Sequence, residues 1–429
     1  MTVSVVGTGY VGLVTAAVFA DFGHKIFAID IDKKKLEDLR RAKIPFFEPG
    51  LEELVKRGLK SKRLNFTSDF SSSIPASRVV FICVGTPPLE DGSVDLRQLY
   101  SATQSVSKHL KGQTVIAIKS TVPIGIEVEL EKIIQKESHN HFELAAVPEF
   151  LREGSAIEDM LHPDRIVIGA TNKKVIDVLL DLHKHFSGER IICDLRSAQL
   201  IKYAANSLLA TKVSFANAVA QLADKMDADA EKVLHGVGLD KRIGRTYLYP
   251  GVGYGGSCLP KDVLAFVDVA QKFGYDFGLL KEVDRINEEQ IETFVKNIRS
   301  ALGGSVEGKK IGILGLSFKP NTDDIREAPS IKIIDLLLEQ GAQVSAFDPV
   351  AIENVRKVFD GKVEFVKGPY EVAKNSDCLA IVTDWNEFRD LDLLKIKKVM
   401  KNPLIADGRN VLDADKVKGL GFKYFGIGR

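Results

Sequence analysis

The 429-residue sequence has little of what marks secreted, membrane-spanning or nucleic-acid-binding proteins. It contains only four cysteines and no C-x-x-C pair, which argues against a disulfide scaffold and predicts a reducing cytoplasm. No apolar run approaches the length of a membrane span, and the segment Met1 to Val6 lacks the features of a signal peptide. The 59 basic and 58 acidic side chains leave a formal net charge of +1. Neither nucleic acid nor an anionic membrane is therefore an expected partner.

What the chain does contain is an order of strands and helices that occurs twice. A β-branched run ends at Gly7, an apolar helical segment follows, and a second strand-like run ends at Asp30. The same order begins again at Lys310, passes a helix capped by Gly341, and ends at Asp348. Strands that alternate with helices predict parallel sheets covered on both faces. Both regions therefore predict an α/β domain.

The stretch between the two repeats is helical in pattern. Apolar residues recur at helical spacing from Leu200 to Ala216, which predicts a long connecting helix over 196 to about 230. A second helical pattern covers roughly 261 to 302, and the segment Gly236 to Gly256 between them predicts an ordered loop. We therefore expect three domains, at 1–195, 196–300 and 301–429.

The segment Gly7-Thr8-Gly9-Tyr10-Val11-Gly12 fits G-x-G-x-x-G, follows a strand and opens a helix, and Asp30 ends the next strand. This context predicts a dinucleotide site, with the pyrophosphate at the helix N-terminus. Asp30 would bind ribose hydroxyls and repel a 2′-phosphate, which favours NAD over NADP; the nearby run Lys33 to Lys35 weakens that preference. No glycine triplet follows Gly315, so the second repeat is expected to hold another ligand. The predicted fold is two Rossmann-like doubly wound parallel-sheet domains joined by a central helical domain.

The segment Gly255-Gly256-Ser257-Cys258-Leu259-Pro260-Lys261-Asp262 predicts a reactive cysteine. Ser257 and Pro260 suit the start of a helix, which places Cys258 at its N-terminus. The helix dipole and Lys261 would lower the pKa of the Cys258 thiol, and Asp262 would lie one turn further on. We expect the other three cysteines to be ordinary buried residues, since each lies in an apolar strand.

Other polar residues interrupt apolar patterns or follow predicted strands. Lys202 and Asn206 lie four residues apart in the long helix, where they suit an oxyanion site or, alternatively, form part of a solvated face. The segments Lys119 to Pro123 and Val147 to Gly154 follow strands of the first repeat, where ligands bind in doubly wound sheets. Either segment is alternatively an ordinary loop.

Together these motifs resemble the UDP-glucose/GDP-mannose dehydrogenase family over essentially the whole chain. Eight motifs occur in order: Gly7 to Gly12, Val84 to Pro87, Lys119 to Pro123, Pro148 to Gly154, Lys202 to Asn206, Gly255 to Asp262, Phe318 to Arg326, and Asp407 to Arg409. The segments Pro148 to Gly154 and His162 to Arg165 most resemble members that oxidise UDP-glucose.

The resemblance implies a four-electron oxidation of a primary alcohol to a carboxylate, with two NAD⁺ as oxidants. The Cys258 thiolate would attack an aldehyde to give a thiohemiacetal, and a second oxidation would give a thioester that water hydrolyses. The implied catalytic residues are Cys258, Lys202, Asn206, Asp262, Thr121 and Glu149. Among them, Lys202 and Asn206 would stabilise oxyanions, Asp262 with Thr121 would position water, and Glu149 would assist proton transfer.

The resemblance also implies the binding residues and an assembly. The implied cofactor contacts are Gly7, Gly9, Tyr10, Val11, Gly12, Asp30, Lys35, Thr86, Thr121, Glu153, Lys261 and Arg326. The implied UDP-sugar contacts are Glu149, Phe150, Leu151, Arg152, Glu153, Lys202, Asn206, Arg242, Tyr247, Gly255, Cys258, Phe318, Lys319 and Arg409. Arg242 would reach the substrate site of a neighbouring subunit, which implies a homodimer or larger assembly. No metal site is predicted.

Three other functions stay open from the sequence. The same chemistry on GDP-mannose or a UDP-N-acetylhexosamine is the first. An aldehyde or hydroxyacid dehydrogenase with a structural Cys258 is the second, and it leaves the second α/β region without a role. A non-catalytic NAD-sensing protein is the third, and the intact Cys258, Lys202, Asn206 and Asp262 argue against it.

Overall fold

The computed structural model describes all 429 residues, which divide into two compact units. The first unit comprises Met1–Ala205 with Asp268–Phe273, and the second comprises Asn206–Val267 with Gly274–Arg429. No helix is both long and apolar enough to cross a membrane.

The first unit contains an eight-stranded sheet with the order β3-β2-β1-β4-β5-β6-β7-β8. Its strands are β1 (Thr2–Val6), β2 (Lys25–Ile29), β3 (Leu64–Thr67), β4 (Val79–Ile82), β5 (Thr114–Ile118), β6 (Phe142–Ala146), β7 (Arg165–Gly169) and β8 (Glu189–Cys193). Its helices are α1 (Tyr10–Asp21), α2 (Lys33–Arg40), α3 (Leu51–Lys60), α4 (Phe70–Ala76), α5 (Arg97–Ser107), α6 (Glu127–Glu137), α7 (Ala156–Leu161) and α8 (Lys173–Leu182).

The strands β1 to β6 are parallel and follow the order 3-2-1-4-5-6 of a dinucleotide-binding fold. Strand β4 places Val79 and Phe81 in one apolar cluster and Val80 and Ile82 in another, so helices cover both faces. The sequence did not indicate that β7 pairs antiparallel with β6 before β8 continues parallel to β7.

A series of helices follows the first sheet. They are α9 (Leu195–Met226), α10 (Ala230–Gly238), α11 (Leu259–Lys272) and α12 (Gly278–Ala301). The 32-residue α9 is the predicted connecting helix. The pattern predicted as one helix over 261–302 is two helices, because the chain takes a positive φ of 77° at Gly274.

The second unit contains a six-stranded sheet with the order β11-β10-β9-β12-β13-β14, in which every pair is parallel. Its strands are β9 (Lys310–Leu314), β10 (Gln343–Phe347), β11 (Val363–Phe365), β12 (Cys378–Ile381), β13 (Leu404–Asp407) and β14 (Lys423–Gly426). Its remaining helices are α13 (Pro329–Glu339), α14 (Ile352–Phe359), α15 (Pro369–Val372), α16 (Asn386–Arg389), α17 (Leu393–Val399) and α18 (Ala414–Gly419). The order repeats 3-2-1-4-5-6, so the predicted internal repeat and the Rossmann-like fold class are confirmed.

Candidate active site

The glycine-rich loop Gly7 to Gly12 joins β1 to α1 and leaves room for a ligand. Gly7 has a φ of 93°, and a Cβ at Gly12 would lie 1.9 Å from the carbonyl oxygen of Gly7. Both glycines are therefore needed for the turn itself. A Cβ at Gly9, by contrast, would meet no atom within 4 Å, and no side chain caps α1. An open backbone at an uncapped helix N-terminus fits the pyrophosphate of a dinucleotide.

Asp30 follows β2 beside this loop, as predicted. Its Oδ2 accepts hydrogen bonds from the Thr8 amide at 2.9 Å, the Thr8 hydroxyl at 2.6 Å and the Lys35 ammonium at 2.6 Å. Burial raises the pKa of Asp30, but the bonds from Lys35 and Thr8 outweigh it and lower the pKa to about 2. Asp30 is therefore ionised at neutral pH and suits hydroxyl donors.

Glu48 is a buried carboxylate that the sequence analysis missed. Its Oε2 hydrogen bonds to Tyr10 and accepts from the Gly154 amide at 2.6 Å, and its Oε1 accepts from the Ala156 amide at 2.8 Å. Burial and the bond to Glu48 raise the pKa of the Tyr10 phenol. Glu48 thus connects the glycine-rich loop Gly7 to Gly12 with the segment Pro148 to Gly154 through hydrogen bonds. No local pattern marks it, since it lies in an irregular loop.

Glu149 and Lys202 form a buried ion pair in the first unit, with 3.0 Å between Oε1 and Nζ. The Lys202 ammonium also lies 5.4 Å from the ring centroid of Phe150, whose ring is within 3.9 Å of the Arg165 guanidinium carbon. The second Glu149 oxygen accepts from the Leu151 amide at 2.5 Å. Lys202 is therefore fixed in direction, and the alternative of a solvated face is wrong for this residue.

Thr121 lies close to this pair. It lines a small cavity together with Ser120, Pro148 and Lys202, and its carbonyl oxygen accepts from the Thr86 hydroxyl at 2.9 Å. Residues of four motifs that are far apart in sequence thus meet near the carboxyl ends of the first sheet. Further along, Arg152 is exposed and paired with Asp159 at 2.5 Å, and Glu153 follows it.

Cys258 lies at the N-terminus of α11, as predicted. Its carbonyl oxygen accepts the first helical hydrogen bond from the Asp262 amide at 2.9 Å, and the Ser257 hydroxyl lies 3.6 Å from Sγ. Cys83 and Cys378 are buried as expected, and burial raises the pKa of both of those thiols. Cys193 is half-buried like Cys258, so the expectation that it is a buried core residue is wrong. The structure thus separates Cys258 from the two core cysteines.

Asp262 is almost fully buried and links two other predicted residues. Its Oδ2 accepts from the Asn206 amide at 2.6 Å, and its Oδ1 accepts from the Lys261 ammonium at 2.6 Å. Lys261, which we expect to lower the pKa of the Cys258 thiol, thus also forms an ion pair with the next residue in the chain. A carboxylate held on both oxygens has a fixed direction.

In the second unit, Phe318 also packs against the loop that leads to Cys258. A Cβ at Gly256 would lie 2.7 Å from the Phe318 ring, and one at Gly255 would lie 2.1 Å from the carbonyl oxygen of Glu327. The Lys319 ammonium lies 5.5 Å from the Phe318 ring centroid. Arg409 donates to the Gly253 carbonyl at 2.8 Å, so the predicted UDP residues lie next to the loop that leads to Cys258.

Three further predicted residues lie at the surface or in strained backbone. Arg242 is exposed and paired with Asp240 at 2.6 Å, and Arg326 is paired in the same way with Asp324. Tyr247 has a φ of 66°, a left-handed conformation that non-glycine residues rarely adopt and that often occurs at functional sites.

Comparison with known families accounts for nearly the whole chain. Three models match it: an NAD binding domain over residues 1–187, a central domain over 196–289 and a UDP binding domain over 312–414. An NAD domain and a UDP domain in one chain define an NAD-dependent dehydrogenase of nucleotide sugars. The chain belongs to the UDP-glucose/GDP-mannose dehydrogenase family, whose three domains these models describe.

Individual relatives are similar over the full length. The chain is 43% identical to a UDP-glucose 6-dehydrogenase of Bacillus subtilis, covering 100% of the chain and 93% of the relative. It is also 43% identical to one of Rhizobium meliloti, covering all of both. A solved UDP-glucose dehydrogenase of Pyrobaculum islandicum has a TM-score of 0.94 at 39% identity, over 100% of this chain and 97% of that one. The predicted family, enzyme class and cofactor are confirmed; the roles of single residues stay predictions.

Proposed function

We propose that the protein oxidises UDP-glucose to UDP-glucuronate. One sugar, two NAD⁺ and one water give one carboxylate, two NADH and three protons. The observation that carries the proposal is Cys258 at the N-terminus of α11, with Asp262 one turn further on and bound to Asn206 and Lys261. The UDP-glucose 6-dehydrogenases among the full-length relatives support the choice of sugar.

Cys258 supplies the nucleophile in this proposal. Its sulfur adds to the aldehyde carbon at C6, and the aldehyde oxygen becomes a hydroxyl in the thiohemiacetal. Loss of a second hydride from C6, together with the hydroxyl proton, converts the adduct into a thioester, from which water displaces the thiolate to give the carboxylate. A thiolate suits both roles, because it attacks readily and also leaves readily.

Lys202 and Glu149 act together as the first catalytic pair in the proposal. The buried ammonium of Lys202 stabilises negative charge on the reacting oxygen, since its interactions are strong where water is excluded. Glu149 holds that ammonium in place and assists proton transfer during hydrolysis. Thr121, which lines the same small cavity, helps to position water.

Asn206 and Asp262 form the second catalytic pair. The Asp262 carboxylate orients a water molecule for attack on the thioester, and the Asn206 amide donates to developing negative charge. Their 2.6 Å hydrogen bond keeps both groups in fixed directions before substrate binds.

The cofactor is held by the glycine-rich loop Gly7 to Gly12 and by residues around it. When bound, NAD⁺ accepts the hydride in each oxidation. Gly9 and the N-terminus of α1 bind the pyrophosphate, Asp30 accepts from the ribose hydroxyls, and Lys35 holds Asp30. The other proposed cofactor contacts are Tyr10, Val11, Thr86, Glu153, Lys261 and Arg326.

The sugar nucleotide is held by the residues that the family resemblance implies as UDP-sugar contacts. Phe318 offers an aromatic face to uracil, and Lys319 and Arg409 supply positive charge for the diphosphate.

The three predicted domains take separate roles in the proposal. Residues 1–195 bind NAD, residues 196–300 carry catalysis and dimerisation, and residues 301–429 bind the UDP-sugar; the three family matches support these bounds. We further propose that the protein acts in the cytoplasm as a homodimer or larger assembly, with Arg242 reaching a neighbouring subunit.

A panel of nucleotide sugars with NAD⁺ tests the substrate. We expect UDP-glucose to give the highest kcat/KM and about two NADH per sugar, as the thioester route requires. About one NADH per sugar would indicate a simple alcohol dehydrogenase, and none would indicate a sensor. Faster turnover of GDP-mannose or a UDP-N-acetylhexosamine would leave the mechanism standing and overturn the choice of UDP-glucose.

A further inference from the structure

The loop Gly251 to Gly256, which leads to Cys258, has neither helix nor strand to satisfy its backbone. Backbone carbonyls of Gly408 and Arg326 accept from the Val252 and Gly256 amides, and side chains from other elements supply further hydrogen bonds. Asn217 of α9 accepts from the Gly251 amide at 2.8 Å, and Arg409 donates to the Gly253 carbonyl at 2.8 Å. Buried backbone groups need such partners, because an unsatisfied one costs the free energy of its lost hydration.

Asn287 of α12 makes the most specific of these contacts. Its Oδ1 accepts from the Tyr254 amide at 2.8 Å, and its Nδ2 donates to the Tyr254 carbonyl at 3.1 Å. The carboxamide therefore pairs with both polar groups of one residue, as a neighbouring strand would. Asn287 is 3% exposed, so water cannot replace these bonds. A carboxylate would keep the acceptor and lose the donor.

Gly253 is matched to this amide. It has a φ of 101°, and a Cβ there would lie 2.8 Å from the Asn287 Oδ1. The loop can therefore approach the carboxamide this closely only with glycine at that position.

The far end of the loop is anchored separately, by the Gly256 amide donating to the Arg326 carbonyl at 2.9 Å. Only Gly255 lies between the two anchored residues, and Ser257 alone separates Gly256 from Cys258. The Asn287 pairing therefore limits where the chain can enter α11.

We propose that Asn287 is a positioning residue for Cys258, because it fixes the loop Gly251 to Gly256 and so sets the sulfur against the N-terminus of α11. The consequence for turnover rests on the proposed catalytic role of Cys258. Asn287 itself need not contact substrate. A misplacement of about 1 Å at a reacting group can lower a rate by roughly 100-fold.

Gln290 provides a matched control for this role. It lies on the same helix, is 1% exposed, and accepts from the Gln221 amide at 2.7 Å rather than from the loop. The variants Asn287→Ala and Gln290→Ala each remove a buried side-chain amide from α12. Both are expected to lower stability, and only the first should disturb Cys258.

The test measures kcat, both KM values, thermal stability and the rate of Cys258 alkylation by iodoacetamide in the free protein. For Asn287→Ala we expect kcat to fall roughly 100-fold with the KM for NAD⁺ little changed. Alkylation at neutral pH should slow about two- to fivefold, the factor expected when a thiolate loses its helix N-terminus. Asn287→Asp keeps the acceptor. Its kcat and its alkylation rate should therefore lie between those of Asn287→Ala and those of the unmodified protein.

Two results would overturn the proposal: unchanged alkylation in a folded Asn287→Ala protein, or equal effects from Gln290→Ala. Slower alkylation with normal turnover would uphold the positioning role and refute the catalytic role of Cys258. If Asn287→Ala does not fold, Asn287→Asp decides, because unchanged alkylation and kcat in that variant would also refute the proposal.

Discussion

At the residue scale, Cys258 offers the sharpest test of the chemistry. Cys258→Ala should abolish carboxylate formation and leave binding of NAD⁺ and UDP-sugar nearly intact, because only the nucleophile is removed. Cys258→Ser should form an ester, whose alkoxide leaves poorly, and turnover should fall by ~10⁴-fold or more. Mass spectrometry of the serine variant should detect the covalent adduct. Near-normal sugar acid production by Cys258→Ala would make Cys258 structural.

His183 should give the first unit a stability that depends on pH. Its ring is buried among Phe19, Phe81 and Phe186, and its Nδ1 lies 2.7 Å from the Leu179 carbonyl. Burial lowers the pKa of His183 from 6.5 to about 4. The unfolded chain therefore binds a proton at a higher pH than the folded chain does. The resulting stability is fully present above pH 6.5 and is lost as the pH falls towards 4.

The expected loss between these limits is about 3 kcal/mol. Urea unfolding at a series of pH values should give a steeper decline for the unmodified protein than for His183→Leu, which removes the titrating group. Phe186→Leu alters the same cluster without removing a titrating group and should keep the steep decline. Parallel curves for the unmodified protein and His183→Leu would show that His183 does not titrate in this range.

At the scale of elements, the loop between β1 and α1 separates folding from binding. A Cβ at Gly12 would lie 1.9 Å from the Gly7 carbonyl oxygen, so Gly12→Ala should lower the free energy of unfolding by about 1–3 kcal/mol. A Cβ at Gly9 would meet nothing within 4 Å. Gly9→Ala should therefore fold normally and raise the KM for NAD⁺ roughly tenfold, equivalent to about 1.4 kcal/mol.

Chemical denaturation and steady-state kinetics on the two variants check this separation. Each serves as the control for the other, since the substitution is the same and the sites are three residues apart. Normal NAD⁺ kinetics in Gly9→Ala would mean that the pyrophosphate does not approach this part of the loop.

At the scale of the whole molecule, α9 carries an exposed apolar stripe. Leu208, Phe215 and Leu222 are spaced by seven residues and are 62%, 52% and 56% exposed. Exposed apolar side chains in a regular row are typical of a surface that a partner covers. The exposed Arg242 is the residue proposed to act across such an interface.

We expect the protein to sediment as a dimer or larger, and Phe215→Glu to shift it to monomer with loss of activity. Leu89→Glu, at an exposed apolar position elsewhere, should leave the assembly unchanged. Arg242→Ala should stay assembled and lose activity. A fully active monomer would refute the role of Arg242 across subunits.

The sequence by itself determined the local features. The Gly7 to Gly12 loop, the long α9, and Cys258 at a helix N-terminus all follow from glycine placement, periodicity and capping within a few residues. These signals are local, so they can be read without knowing what packs against them.

Only the tertiary structure decided which polar groups pair over long separations. Asp30 and Asp348 both follow the second strand of their sheets, yet Asp348 is fully buried and accepts from the Leu316 amide and from Trp385. Glu48, Asn287 and the bond from Asn206 to Asp262 are equally invisible in one sequence. A hydrogen bond depends on distance and direction in space, and the chain fixes both only when the sheets have formed and the loops have packed on them.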